Sequence, residues 1–468
     1  MITKLNHKLL LKLFILLSWV ILWFSLNSMP GEINYMNKSF INLINGSRTI
    51  LAIIVSFFSI IFLIYSVIKN KIKNSSILLI LFTSYFIFQL FGLLSNNERP
   101  FDIHRTYLVI YSIGTISLLL LIDYKKFQDL IPFMVSIGIF VVLIGYSIII
   151  FNNPAPLIEA SIKGNLYWLF HPDKSIFYQA PPRITGLTRA FGMLGVSTII
   201  LIIYINKINF TTIMLSLFLF ICSMIVWLGQ SRGSMLCFYV TSLAIILIMR
   251  NLSFFKKLII ISFITIFPII ISNIFINSLN ANLDLGSKET QETQETQETQ
   301  NFNDNNEEVL KLLIPKDIPR VIANEGGSSG RLYLWNKALQ GYDTNKIFGY
   351  GPQGDRYFLN NKRNPYGNNV SNTALYALLS GGYFSLSIMI IIYLYTLLII
   401  FKLLQSYKIH KNLLIIEKQN MLVILSLSHV IFFGIRSFFE NSFGVFSLDF
   451  LIVIISLFVL ENKVSKKS

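Results

Sequence analysis

The sequence predicts an all-α polytopic membrane protein with about twelve transmembrane helices, both termini cytoplasmic. Three observations predict it. Only 13% of the 468 residues are charged and 54% are hydrophobic, whereas soluble domains carry about 25% charged residues. The apolar residues come in blocks: 50–68, 76–94 and 133–151 each run without a charge, and each matches the ~20 residues needed to cross a bilayer core. Lysine and arginine, finally, alternate between the connections as the positive-inside bias requires. With the N-terminus inside, the cytoplasmic segments hold 19 of them and the short outer connections six.

In chain order the expected spans are 9–27, 49–68, 75–95, 106–122, 130–151, 191–206, 211–229, 234–249, 258–277, 373–401, 420–438 and 446–460. The first carries Lys4, Lys8 and Lys12 towards its N-terminal side and looks in part like a signal peptide, but no convincing small-x-small cleavage site follows, so it is read as a span. Residues 1–190 form an N-terminal transmembrane bundle with an outer loop at 152–190. Residues 191–277 carry helices six to nine. Residues 278–372 form one large periplasmic loop between helices nine and ten, and 373–468 hold helices ten to twelve with a cytoplasmic tail.

The large loop enters an ETQ triplet repeated four times over 289–300, then NFNDNNEE. Such a polar tract buries no apolar surface and is expected to be disordered over 289–308. Further on, SSGRLYLWNKALQG (328–341) places Leu332, Trp335 and Leu339 at helical spacing, with a serine before and a glycine after. It is expected to be a short amphipathic helix on the outer rim, with Arg331 in its first turn.

The two cysteines, Cys222 and Cys237, fall inside apolar spans, which excludes a disulfide framework or a cysteine-based zinc site in the outer loops. No span holds a mid-membrane Asp, Glu or Lys, which argues against an ion-coupled transporter. No GxxxxGK[ST] is present, and the glycines of GYGPQG (349–354) read as turns. The histidines are scattered without metal-ligand spacing and read as surface or structural residues. No metal, nucleotide or other cofactor is expected, and no nucleic acid partner despite the net charge of +16.

The arginines are distributed differently from the lysines. In this topology 11 of 12 arginines lie outside, but only 9 of 27 lysines. A planar, permanently charged guanidinium binds phosphate bidentately, whereas lysine is a point charge. Outward arginines at the bilayer surface therefore suit a lipid-linked phosphate or pyrophosphate; the alternative is anchoring to headgroups. Five stand in distinctive settings: Arg183 and Arg189 in PPRITGLTRAFG, Arg232 in the tight hairpin GQSRGS, Arg331 in the amphipathic segment, and Arg436 in GIRSFFEN. Arg436 and Glu440 are four apart and could instead simply pair on one helix face.

Four local patterns, RITGLTRAFG (183–192), QSRGS (230–234), SGRLYLWNKAL with IFGYGPQG (329–354), and SNTALYALLSGGYFSL (371–386), resemble the O-antigen ligase and polymerase superfamily. These are membrane glycan transferases that use undecaprenyl-pyrophosphate-linked polysaccharide. The resemblance covers about 183–440 and implies a GT-C-like helical fold in the bacterial inner membrane, with a part in lipopolysaccharide biosynthesis. It implies a metal- and nucleotide-independent glycosyltransferase that moves a polysaccharide from its undecaprenyl pyrophosphate donor to a glycolipid acceptor, lipid A-core. The alternatives are a polymerase joining lipid-linked repeat units and, further off, a polysaccharide exporter. Pyrophosphate binding would fall to Arg183, Arg189, Arg232, Arg331 and Arg436, and catalysis to Arg232, Arg331, Asn372 and Asp355. Where the family usually has a His-Asn pair, this chain reads Ser371-Asn372. A serine hydroxyl is not a base unaided, so the role passes to Asp355 or His171, or arginine-assisted departure of the pyrophosphate suffices.

Overall fold

The computed structural model describes residues 7–26, 38–68, 76–96, 103–122, 130–141, 185–205, 209–228, 231–248, 254–272, 274, 331–343, 346–358, 370–409, 418–441 and 448–465. Among these the regular structure is all helical: α1 (His7–Leu26), α2 (Lys38–Ile68), α3 (Ile77–Ser95), α4 (Ile103–Leu121), α5 (Leu130–Val141), α6 (Thr185–Ile205), α7 (Phe210–Leu228), α8 (Arg232–Ile248), α9 (Phe254–Ile264), α10 (Arg331–Gln340), α11 (Gly354–Phe358), α12 (Thr373–Ile409), α13 (Lys418–Arg436) and α14 (Leu448–Ser465). A helix lies under each expected apolar stretch, and five are by themselves long and apolar enough to cross a membrane. Several begin before the expected span: α2 at Lys38 rather than 49, and α6 at Thr185 rather than 191. Their first turns are polar, so hydropathy alone misses them. The ETQ repeat, the outer loop through residue 184 with Arg183 and His171, and 142–151 of the fifth span lie outside the described residues.

Local chemistry explains the helix ends and interiors. Ser76 caps α3, its hydroxyl accepting from the Leu79 N–H at 3.2 Å, and Asn209 caps α7 by accepting from Thr212 N–H at 2.9 Å. Arg105 is a buried cap at the other end of α3, donating to the Leu93 and Leu94 carbonyls at 2.9 and 3.2 Å. This arginine serves a helix terminus. Several hydroxyls inside the spans donate back one turn, as Ser112 does to Leu108 and Thr198 to Leu194, both at 2.7 Å, so these bring no unsatisfied donor into apolar surroundings.

The hub is α14. Every residue from Asp449 to Asn462 is buried, the pattern of a helix enclosed on all sides. It packs on α13, α12, α1 and α5. On one side α3 joins α12 and α4, with α4 also on α2; on the other α6 contacts α7, α8 and α13. Two polar links fix this hub. Midway along, His429 of α13 sits 2.9 Å from Ser197 Oγ and 3.3 Å from Ser456 Oγ, joining α6, α13 and α14. Near the C-terminal end of α14 the Glu461 carboxylate accepts from Ser76 Oγ and, at 3.1 Å, from Tyr395 OH.

A second, smaller core sits at the start of α12, where Ala338, Tyr342, Tyr350, Val370, Tyr376, Leu378 and Leu379 are buried together. The described part of the large loop is therefore packed onto the start of α12. In α10 the buried face differs from the expected stripe: Leu332 and Leu339 are about half exposed, while Ala338 is buried and Leu334 and Trp335 pack with it. Positions 331, 334, 335 and 338 satisfy the same helical spacing as 332, 335 and 339, and the Trp335 Nε1–H donation to Val370 O at 2.8 Å selects between them.

The two motifs IFGYGPQG and SNTALYALLSGGYFSL meet here. α12 is broken at Gly381 and Gly382, which frees carbonyls that the loop uses: Tyr350 N–H donates to Leu379 O and Gly351 N–H to Ser380 O, both at 2.8 Å. Gly382 has φ 65°, and a Cβ there would run into the Ile347 carbonyl. Phe348 of the loop stacks on Phe384 and Phe88, ring centroids 5.5 and 6.2 Å apart, tying the loop to α12 and α3. The glycines of the loop make turns, as expected: Gly349 and Gly351 have φ 70° and 87°.

Candidate functional site

The candidate site surrounds the turn that follows α13. After Arg436 the chain leaves the helix, with Glu440 N–H still donating to Arg436 O at 2.9 Å. The turn is clamped to the start of α12: Thr373 N–H donates to Ser437 O at 3.0 Å, Thr373 Oγ1 to Glu440 O at 2.9 Å, and Asn372 Nδ2 to Phe438 O at 3.2 Å. Asn441 Oδ1 accepts from the Asn372 N–H at 3.1 Å.

Arginines from separate parts of the chain converge on this turn. Arg436 donates to Asp449 Oδ2 at 2.5 Å, and Arg189, in the first turns of α6, reaches the same oxygen at 3.2 Å. Their side chains are only 7% and 12% exposed, and that of Asp449 3%. Two guanidinium charges against one carboxylate leave this buried triad net positive, and Asp449 in the first turn of α14 also suits the helix dipole. Arg331, the first residue of α10, donates to Glu440 Oε1 at 3.3 Å and lies over the Phe439 ring, 5.9 Å from its centroid. This pair is more open, with side chains 23% and 27% exposed. Arg232 opens α8, where Ser231 donates its hydroxyl to Ser234 at 3.1 Å. A Cβ built on the next residue, Gly233, would sit 3.8 Å from Phe439. The backbone at Arg232 is thus one residue from the same turn.

Arg436 and Glu440 do not pair with each other. Each takes a different partner because the helix ends at Arg436 and the turn carries Glu440 out towards α10, while Arg436 points in to the hub.

Asn372 caps α12, its Oδ1 accepting from Leu375 N–H at 3.0 Å, and with both amide and backbone committed it holds α12 against the 438–441 turn. Ser371 beside it has φ 49°, a left-handed conformation that is costly for a residue with a Cβ. Asp355 is 1% exposed; its Oδ2 accepts from Val370 N–H at 3.1 Å and Asn441 Nδ2 at 3.4 Å. Burial holds its carboxyl above the ordinary value of 3.8, opposed by the Val370 N–H, Arg356 and Asn441, which favour the charged form. The carboxyl is enclosed beside the smaller core and joins α11, residue 370 and the 441 turn. Among the described residues no group of three His, Cys, Asp or Glu could hold a metal ion.

Of the expected site residues, the structure brings Arg189, Arg331, Arg436, Asn372 and Asp355 into one hydrogen-bonded neighbourhood with the start of Arg232's helix; Arg183 lies outside the described residues. Sequence reasoning missed Asp449, Phe439 and Asn441. Asp449 carried a readable signal, a lone acid opening an apolar helix. Phe439 and Asn441 carried none, since their role depends on which turn packs against α12.

The fold and site thus define a helical, membrane-type protein with a cationic cluster where several span ends meet. A family model described as O-antigen ligase matches residues 217–390. Over that segment the chain is similar to the O-antigen ligase family, and the match takes in the start of α8, α10, the docked loop and the opening of α12. Arg189, Arg436 and Asp449 lie to either side of it, so the cluster joins the matched segment to the rest of the bundle. No curated protein and no solved structure matches the chain.

Proposed function

We propose that the chain transfers a polysaccharide from undecaprenyl pyrophosphate to the lipid A-core acceptor on the periplasmic face of the inner membrane, with twelve spans and both termini cytoplasmic. The observation that carries the reading is the convergence of Arg189, Arg331, Arg436 and the start of Arg232's helix on one turn, in a chain whose 217–390 segment matches the O-antigen ligase model. Diphosphate is a good leaving group, so preorganised cations can supply the charge stabilisation that dominates such chemistry, without metal or nucleotide. The buried triad is the fixed part of the positive field, and binding of the diphosphate itself is assigned to Arg331 and Arg232. Asn372 and Asp355 act as positioning residues that hold α12 and the smaller core against the turn. Joining lipid-linked repeat units is the second reading, favoured by Ser371 where the ligases carry histidine.

The test is the glycolipid profile of a deletion strain complemented with variants. Loss of polymer from lipid A-core with lipid-linked polymer still made supports the ligase; core bearing a single repeat supports the polymerase; an unchanged profile removes both. Arg232→Lys keeps charge but loses the bidentate fork, and is expected to lower transfer roughly tenfold or more, ~1.4 kcal/mol per decade. Arg99→Lys, outside the motifs, serves as the matched control.

A further inference from the structure

Transfer of a glycan to a hydroxyl requires a group that takes the hydroxyl proton; the identity of that group, sought here, rests on the function proposed above. Asp355 is 1% exposed with its Oδ2 committed to Val370 and Asn441. Asp449 is 2% exposed and bound by two arginines. Asp343 is exposed but follows the far end of α10, more than about 13 Å from Arg331 at ~1.5 Å per helical residue. His429 is enclosed between serines in the middle of the bundle, and His104 is on α4, which packs on α2 and α3 away from α13.

Glu440 differs from all of these. Its backbone is clamped at both ends, N–H to Arg436 O and carbonyl to Thr373 Oγ1, each at 2.9 Å. Its side chain is 27% exposed, and among the described residues Arg331 is its one polar partner, through Oε1. A carboxylate on a rigid turn, open on one side and touching the guanidinium that would hold the leaving group, is placed where acceptor and donor must meet. An open ion pair exchanges easily, so a diphosphate can take Arg331 from it.

We propose that Glu440 is the general base of the transfer. As the donor diphosphate engages Arg331, the released carboxylate accepts the proton of the acceptor hydroxyl. The hydroxyl oxygen forms the new bond to the anomeric carbon, and the bond from that carbon to the diphosphate oxygen breaks, its electron pair staying on the diphosphate. The proton ends on Glu440 and the negative charge on the leaving group beside Arg331.

The experiment uses the full chain in proteoliposomes, with lipid-linked glycan extracted from the deletion strain as donor, purified lipid A-core as acceptor, and farnesyl pyrophosphate as competitive probe of the diphosphate site. Glu440→Gln is expected to cut turnover by ~10²–10⁴-fold, to remove the acid limb of the pH–rate profile, and to leave probe binding equal or tighter, since a competing carboxylate is gone. Glu440→Asp should retain part of the activity. Turnover of Glu440→Gln within threefold of wild type overturns the proposal. So does a loss matched by weaker probe binding with the acid limb intact, which makes Glu440 a positioning residue for Arg331. Arg331→Ala separates the two readings: if it loses probe binding while Glu440→Gln is active, the base assignment alone falls. If the wild type neither transfers glycan nor binds the probe, the proposed function falls and this proposal with it.

Discussion

Asp449→Asn tests whether the arginine cluster is built on a buried carboxylate. The substitution keeps size and removes the charge that both Arg436, at 2.5 Å, and Arg189, at 3.2 Å, share. With side chains 7%, 12% and 3% exposed, the two guanidinium groups cannot turn to water, and breaking such a buried pair costs ~3–5 kcal/mol. Glu440→Gln removes a carboxylate of the same kind from a pair 23% and 27% exposed, where the expected cost is ~0–1 kcal/mol. Thermal unfolding of both variants in one detergent gives the comparison. Extending the trend with chain size to about 1–2 °C per kcal/mol, Asp449→Asn should lower the midpoint by ~3–10 °C and Glu440→Gln by less than ~2 °C. Adding Arg436→Gln to Asp449→Asn should recover part of the loss, because fewer uncompensated charges stay buried. Equal midpoints for the two single variants would refute the reasoning, since burial and the second arginine are what separate them.

Gly382→Ala should destabilise the protein measurably in the same assay, because φ 65° and the Ile347 carbonyl both oppose a Cβ. Gly434→Ala, where a Cβ meets nothing within 4 Å, should be near neutral, and similar effects at both would show that the loop does not dock on the broken helix. Asp355 binds its proton more tightly in the fold than in the unfolded chain, so the native state holds more protons and stability falls as pH rises from the ordinary value of 3.8 through the raised folded value. Asp355→Asn should lack that fall; a pH–stability curve parallel to wild type contradicts it. Reporter fusions at Ser406 and Asn303 should report cytoplasm and periplasm, and a shared compartment sinks the twelve-span topology.

The helical membrane class was legible because crossing a bilayer forces long apolar runs, and such runs survive any tertiary arrangement. The candidate arginines were legible for a similar reason: charge at a span end is costly to place and stands out against an apolar background. Partner choice was not legible. Arg436 and Glu440 have the right spacing to pair, and only the end of α13 at Arg436 sends one inward to Asp449 and the other outward to Arg331. In α10 two stripes fit helical periodicity, and the Trp335 bond to Val370 chose the one that sequence did not favour.

By itself, the sequence determined that this chain is a bundle of apolar helices with its arginines set at the ends of the apolar runs, since composition and charge placement depend on solvent and not on neighbours. The tertiary structure alone decided that α14 is the hub, that SGGYF breaks a helix to receive IFGYG, and that arginines nearly 250 residues apart share one carboxylate. Each of these is a contact between segments distant in the chain, set by how helices pack, and local pattern carries no record of it.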